Sequence, residues 1–478
     1  MHCGCGLDLN TYTGTEADDR SIRPLQQQEE TPPPSRLPPL PPQTPPPLPC
    51  VARHKNPYIP PAGPSKGYAY NGWSYFSTIT AVIRVNNDST FLNAVQPTSF
   101  AGDNKTISEL LEVIATTPLE FYALPGTNLT SYSHSAAQYL EVVPTYTGAT
   151  AAVTGINVWM LRVLAELRES QGDLQKATRL RQRADALVDE MLDKLYVPGK
   201  GYYGCLNNAT GPLVETRAIH DYFYVGMCIC GWPGSGNSAA PVGGAGAGAG
   251  GKSGFDCKLP NKVRQEMQRF ARVELKTADW MRAFSPSDAL RYVMRPDQGT
   301  TGSFSSWPAY AAEATAAMGN WTTALEWMRD FSHAAREGPW GQGREVWQEP
   351  APSFTPHNEE YAFKSARGST RYVEEGGASF ADVIIRAFFG YQPPLVWSFD
   401  RAAADDGDGH SDGGGGSMRD SMQDYLKQHV LWQPDQPRGF EGVLHGLRTP
   451  LGVATITSGT DGLRIAIEGG KEPRVNSV

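Results

Sequence analysis

Hydrophobic positions recur at three and four residues along most of the chain between residues 68 and 392, the spacing of one buried face on an α-helix. Ala177, Leu180, Ala184, Leu187, Val188, Met191, Leu192 and Leu195 form the clearest stripe. Val158, Leu161, Leu164 and Leu167 mark the helix before it, and Gly172-Asp173 supplies the turn that makes the two an antiparallel hairpin. Val263, Met267, Phe270 and Val273 predict a further helix. Ala314, Met318, Ala324, Trp327, Met328 and Phe331 predict a second hairpin, broken at Gly319-Asn320. Phe380, Val383, Ile384, Ala387 and Phe388 predict a late helix stopped by Gly390 and Pro393-Pro394. Tyr75–Val85 and Ser108–Ile114 are weaker helical stretches. About nine or ten helices in successive hairpins, with long loops after alternate helices, predict a ring of hairpins presenting its long loops at one end. After Pro434 the pattern changes. Gly442–Leu447, Gly452–Thr457 and Leu463–Ile467 cluster β-branched residues between glycine turns, as a short β-meander does.

The expected organisation is a Pro-rich leader over 1–53, a helical domain over 54–400, a Gly/Asp-rich linker over 401–424 and a small β segment over 425–478 packing on the helices. Residues 231–254 read as a flexible Gly-rich insert. With 478 residues, 40% of them hydrophobic, the chain is long enough for a large core. A net charge of -8 argues against nucleic acid as a partner, and no apolar run reaches the length of a membrane span. Met1 to Cys5 lacks the basic and apolar regions of a signal peptide, while five N-x-[ST] sequons, at Asn87, Asn104, Asn128, Asn208 and Asn320, would suit a secreted chain. The compartment therefore stays open, as does the oligomeric state. The seven cysteines show no zinc spacing, the Cys228/Cys230 pair reads as ordinary thiols, and no metal or cofactor is implied.

The long loops hold the unusual residues. Tyr68–Phe76, Tyr139–Tyr146, Tyr202–Asp221, Trp280–Trp307 and Arg336–Trp347 each combine aromatic rings with acids or arginine. Sugars need this combination, because pyranose C–H faces stack on rings and hydroxyls take bonds from charged side chains. Glycosidic hydrolysis further requires two carboxyl groups, one protonated and one ionised. Glu141, between Leu140 and Val142-Val143, is in an apolar sequence that raises a carboxyl pKa and suits the acid; Glu337, beside Gly338 and Arg336, suits the base. Asp297, next to Arg295, is the next carboxyl, and Glu215 and Arg217 read equally as a substrate contact or a structural ion pair. His220-Asp221 has no matching nucleophile elbow, and Gly251-Lys252-Ser253 lacks the strand that precedes a phosphate loop.

With these residues in view the chain resembles the six-hairpin glycosidases, the (α/α)6-barrel group that contains trehalases, glucosidase I-like enzymes and mannosylglycerate-hydrolase-type proteins. The resemblance lies in the order of the pieces: YNGWSYF at 70–76, GINVWMLRVLAELRESQGD at 155–173 followed by LYVPGKGYYG at 195–204, GSFSSWPAYAAEATAAMGN at 302–320, and REGPWGQGREVW at 336–347. It implies a mainly α (α/α)6 toroid with the small C-terminal β-meander beside it, and an inverting hydrolase of an α-glucoside or α-mannoside. It further implies Glu337 as base, Glu345 as a substrate or water contact, and Glu141 as acid, a Glu where the family's pattern centres on Asp. Trp73, Tyr75, Trp280, Arg282, Asp297, Trp307, Trp340 and Gln342, with Glu215 and Arg217, are then the expected sugar contacts. Two other classes stay open: a barrel that binds carbohydrate without turnover, and another α/α-toroid enzyme such as a lyase or phosphorylase.

Overall fold

The structure is a computed structural model of the chain. It describes residues 69 to 468 apart from 87–88, 98–103, 133–137, 139, 141–142, 144, 232–256, 279, 289–301, 333–342, 345, 349–371, 392, 394, 396–440, 450–451 and 460–461. The Pro-rich leader and the Asp405–Gly416 stretch lie outside the described residues, as does the Gly-rich insert but for Gly231.

In chain order the elements are α1 (Ala69–Asn86), β1 (Val95–Pro97), β2 (Asn104–Thr106), α2 (Ile107–Phe121), β3 (Ser131–Tyr132), β4 (Gly148–Ala149), α3 (Ala151–Ser170), α4 (Leu174–Lys194), β5 (Gly204–Cys205), β6 (Val214–Glu215) and α5 (Ile219–Val225). There follow α6 (Asn261–Phe270), β7 (Gly302–Phe304), α7 (Trp307–Ala317), α8 (Trp321–Phe331), β8 (Gly343–Arg344), β9 (Val346–Gln348), β10 (Tyr372–Val373) and α9 (Glu374–Val383), and then β11 (Gly442–Thr449), β12 (Gly452–Gly459) and β13 (Gly462–Glu468). The π-helical turns Gly226–Gly231, Ala271–Leu275 and Ile384–Phe388 extend α5, α6 and α9. The protein is mainly helical, and its C-terminal strands form an antiparallel meander in the order β11-β12-β13.

Two helix populations follow from burial. Sixteen of the twenty residues of α3 are buried, against six of twenty-one in its hairpin partner α4. A helix buried all round lies between other elements, whereas one buried along a stripe covers them from outside. By the same measure α5 and α7 are inner, and α6 and α8 are outer. The inner helices α3, α5 and α7 pack on one another in sequence, and α1 and α9 continue the line, α1 on α3 and α9 on α7.

Small residues permit that approach. A Cβ on Gly226 would meet the Ala314 Cβ at 2.6 Å, and one on Gly155 would meet the Tyr224 carbonyl oxygen at 3.1 Å. The two ends of the arc of inner helices are also tied together. Arg84 of α1 donates to Glu166 of α3 and to the Pro393 carbonyl, and the Leu395 N–H donates to Glu166.

Two expectations change here. The Tyr68–Phe76 stretch is helical from Ala69 onward rather than a loop, because Trp73, Phe76, Thr80 and Ile83 supply a buried face. The Tyr202–Asp221 loop ends at Ala218, and His220 and Asp221 open α5.

Candidate functional site

Short strands join the segments that lead into the inner helices. β3 pairs with β4, immediately before α3, and Ala149 exchanges backbone bonds with Leu206, next to β5, which pairs with β6. Ala218, immediately before α5, bridges to Phe284, and the Ala283 N–H donates to the Gly302 carbonyl of β7, just ahead of α7. β7 pairs with β9, and β8 pairs with β10, immediately before α9. These contacts form a continuous rim, so the N-termini of α3, α5, α7 and α9 share one end of the domain. The positive ends of their backbone dipoles converge there, which favours carboxylates and oxygen lone pairs.

The segment 138–150 is held to the rim at several points. The fully buried Gln138 amide donates to the Tyr132 and Gly148 carbonyls (2.8 and 2.9 Å) and accepts from the Thr150 hydroxyl (3.0 Å). Leu140, Val143 and Tyr146 are fully buried in a small apolar cluster with Cys205, Ala218, Ala283 and Phe284, against which Trp307 packs. The Tyr146 hydroxyl donates to Asp221 Oδ1 (3.0 Å), which also accepts the Ala152 N–H of the first turn of α3 (2.8 Å).

Asp221 thus ties three elements together from a buried position, and its Oδ2 has no hydrogen-bond partner among the described residues. Burial pushes this carboxyl up to about 7, against the opposing pull of the Ala152 N–H, the Tyr146 hydroxyl and the Ala151 N–H. Beside it His220 is fully buried against Trp307, ring centroids 4.2 Å apart, and against Phe223. Burial pushes the imidazole down to about 3, so it is neutral at neutral pH.

Farther along the rim, Arg217 gathers acids. Its guanidinium donates to Glu274 (3.2 Å), lies 3.7 Å from Glu215 and covers the Tyr202 ring at 4.7 Å. The Tyr202 hydroxyl donates to Glu215 (2.5 Å), and the Arg217 N–H donates to Asp288 (2.7 Å). The ion-pair reading of Glu215 and Arg217 accounts for these contacts. Arg282 donates its backbone N–H to Leu275 in the same neighbourhood.

Of the expected site residues, Trp307 stands half-buried at the start of α7, on the rim. Trp73 and Trp280 are core residues. Trp73 packs edge-on against Trp159 and Tyr224, and Trp280 packs against Phe331 while its Nε1–H donates to Ser303 (2.8 Å). Rings so enclosed by protein offer no face to a sugar, so they leave the proposed platform. Tyr75 is exposed on α1. Glu141, Asp297, Glu337, Trp340, Gln342 and Glu345 lie outside the described residues. Their chain neighbours are informative. In sequence, Glu141 lies between Leu140 and Val143, both buried in the apolar cluster, and Glu345 lies between β8 and β9.

Among the described residues no group of three or more His, Cys, Asp or Glu side chains is arranged to hold a metal ion, and no helix is long and apolar enough to cross a membrane. One cysteine reading is corrected: Cys230 is not an ordinary thiol but forms a disulfide with Cys257, across the Gly-rich insert. Cys205 and Cys228 are free and buried.

No protein-family model matches the chain, and no curated protein sequence does. Solved structures do match. A sialidase is 13% identical at a TM-score of 0.49, over 83% of this chain and 31% of its own. A GH78 family rhamnosidase from Bacillus sp. GL1 is 13% identical at 0.42, over 69% and 27%. The neutral trehalase of Saccharomyces cerevisiae is 11% identical at 0.36, over 52% and 39%. The chain therefore spans well under half the length of each of these three.

Proposed function

We propose that the chain is the catalytic part of a glycoside hydrolase built on a closed (α/α)6 ring of six hairpins. In this reading it hydrolyses an α-glucoside or α-mannoside bond in a small oligosaccharide or glycoside, with inversion. Glu141 protonates the leaving oxygen and Glu337 activates the water, from positions separated by the room a water molecule needs. Trp307, Trp340, Gln342, Asp297 and Glu345 hold the sugar, and the ion-paired Arg217 braces one wall.

The observation that carries this reading is the rim. It gathers the N-termini of α3, α5, α7 and α9 at one end and includes β4, which follows the Tyr139–Tyr146 stretch in sequence, and β8 and β9, which close the Arg336–Trp347 stretch. Two supports come from detail. Leu140 and Val143, close to Glu141 in sequence, are buried in an apolar cluster. The Arg84–Glu166–Pro393 ties between α1, α3 and the segment after α9 are what a closing ring requires.

The test is a screen of aryl α-glycosides and α-linked disaccharides, with the product anomer read by NMR. Inverted product is expected from an α-linked substrate. Glu337→Gln should abolish turnover while leaving the fold and sugar binding in place, because it removes the base without changing shape. Turnover retained by that variant refutes the assignment of the base, and a retained anomer refutes the inverting mechanism.

A further inference from the structure

The sequons in the chain differ in what the fold does with their asparagines. Asn128 is engaged: its Nδ2 donates to Glu190 (2.8 Å), and the hydroxyl of its sequon threonine, Thr130, is buried and accepts from Asn157 (2.8 Å). Asn320 is engaged too. Its Oδ1 caps α8 at the Thr323 N–H, and its Nδ2 faces Gln268 at 3.4 Å. Sugar on either nitrogen would break an internal contact, and at Asn128 the sequon threonine is buried as well. Asn104 is exposed, but it belongs to a paired strand, and its sequon threonine, Thr106, forms a capping box with Glu109 at the start of α2.

Asn208 is open. It stands exposed at the tip of the β5–β6 hairpin, in a turn closed by the Gly211 N–H on its carbonyl. Its Oδ1 accepts the Thr210 N–H (3.2 Å), and its Nδ2 has no partner among the described residues. Thr210 is exposed as well. The amide lies close over Gly211, where a Cβ would stand 2.7 Å from that Nδ2, so the turn requires glycine there. A second, independent feature points to the same cellular route. The Cys230–Cys257 disulfide belongs to an oxidising compartment, which is where asparagine-linked sugars are added.

We infer that the protein carries an N-linked oligosaccharide on Asn208, and none on Asn128 or Asn320. In the transfer, Asn208 Nδ2 bonds to the anomeric carbon of a lipid-diphosphate-linked oligosaccharide. The carbon–oxygen bond to the diphosphate breaks, the lipid diphosphate leaves with the electron pair, and the amide nitrogen gives up a proton. This inference is independent of the proposed activity.

The test takes the protein from the cells that make it. It is treated with an amidase that removes N-linked sugar in heavy-oxygen water, and its peptides are mapped by mass spectrometry with free thiols alkylated beforehand. The expected result is isotope incorporation at Asn208 in most molecules, none at Asn128 or Asn320, and Cys230 and Cys257 protected from alkylation. Unmodified Asn208, or sugar on Asn128 or Asn320, overturns the inference. So does alkylation of both cysteines.

Discussion

Replacing Asp221 with asparagine should change how the stability of this protein depends on pH. In the folded chain the carboxyl is pushed up to about 7 from an ordinary 3.8 by burial. A raised pKa means that the fold favours the protonated form. The stability tied to it is complete below pH 3.8 and is lost as pH rises through 7. At about 1.4 kcal/mol per unit, the full span is worth about 4 kcal/mol. His220 has the opposite sign. Its pKa falls to about 3 from 6.5, so its share of stability is complete above 6.5 and is lost as pH falls through 3. Between roughly pH 4 and 6.5 the two slopes cancel, since the unfolded chain carries the proton on His220 and the folded chain carries it on Asp221.

Asparagine keeps the shape and the Oδ1 acceptor for Tyr146 and Ala152, and removes the titration. Urea unfolding of both proteins, followed by tryptophan fluorescence between pH 4.5 and 7.5, isolates the carboxyl when wild type is subtracted from variant. The variant should gain on wild type by about 3 kcal/mol over that range, most steeply between pH 5 and 7. The variant alone should become more stable as pH rises toward 6.5, because the His220 contribution is then unopposed. A difference that stays constant with pH would show that Asp221 is ionised in the fold as readily as in water, and the burial argument would fail.

Other outcomes follow from single contacts. Cys257→Ser opens a loop with a sequence separation of 27 and should cost about 3 to 4 kcal/mol by chain entropy; urea unfolding of wild type should weaken by a similar amount in reductant, while the variant should not respond. Gly201→Ala should destabilise by well over 1 kcal/mol, because Gly201 sits at φ +80° and an added Cβ would stand 2.0 Å from the Glu266 carbonyl oxygen; a thermal midpoint equal to wild type would contradict this packing.

The outer helices were legible because they bury one stripe. The heptad-like run from Ala177 to Met191 matches the buried face of α4 position by position. The inner helix α5 was not legible. IHDYFYV and the π-helical turn after it are buried all round, so no polar face marks a period, and the sequence reads as the tail of a loop. The rim strands are two or three residues long, too short for alternation to register. Composition drew Trp73 and Trp280 into the candidate site, but a count of aromatic residues does not say which face of the backbone they occupy, and the core took both. The Cys230–Cys257 disulfide was hidden by the Gly-rich insert between its halves, since sequence spacing carries no sign of a closed loop.

Side-chain caps distinguish α2, α4 and α8 from the inner helices, while the outer helix α6, with Pro260 at its N-cap, has none. Outer helices α2, α4 and α8 satisfy their first N–H groups with their own N-cap side chains, Thr106, Asp173 and Asn320. Inner helices α3, α5 and α7 have no side-chain cap of this kind at Thr150, Ala218 or Ser306. A buried backbone N–H must still find an acceptor. At α3 that acceptor is Asp221, reaching across from the neighbouring inner helix. An arrangement that caps one helix from the next couples the inner helices at the rim, and it does so with a carboxyl whose charge depends on pH near neutrality. Loss of that coupling should therefore be felt first in the 138–150 segment, which Tyr146 ties to the same carboxyl.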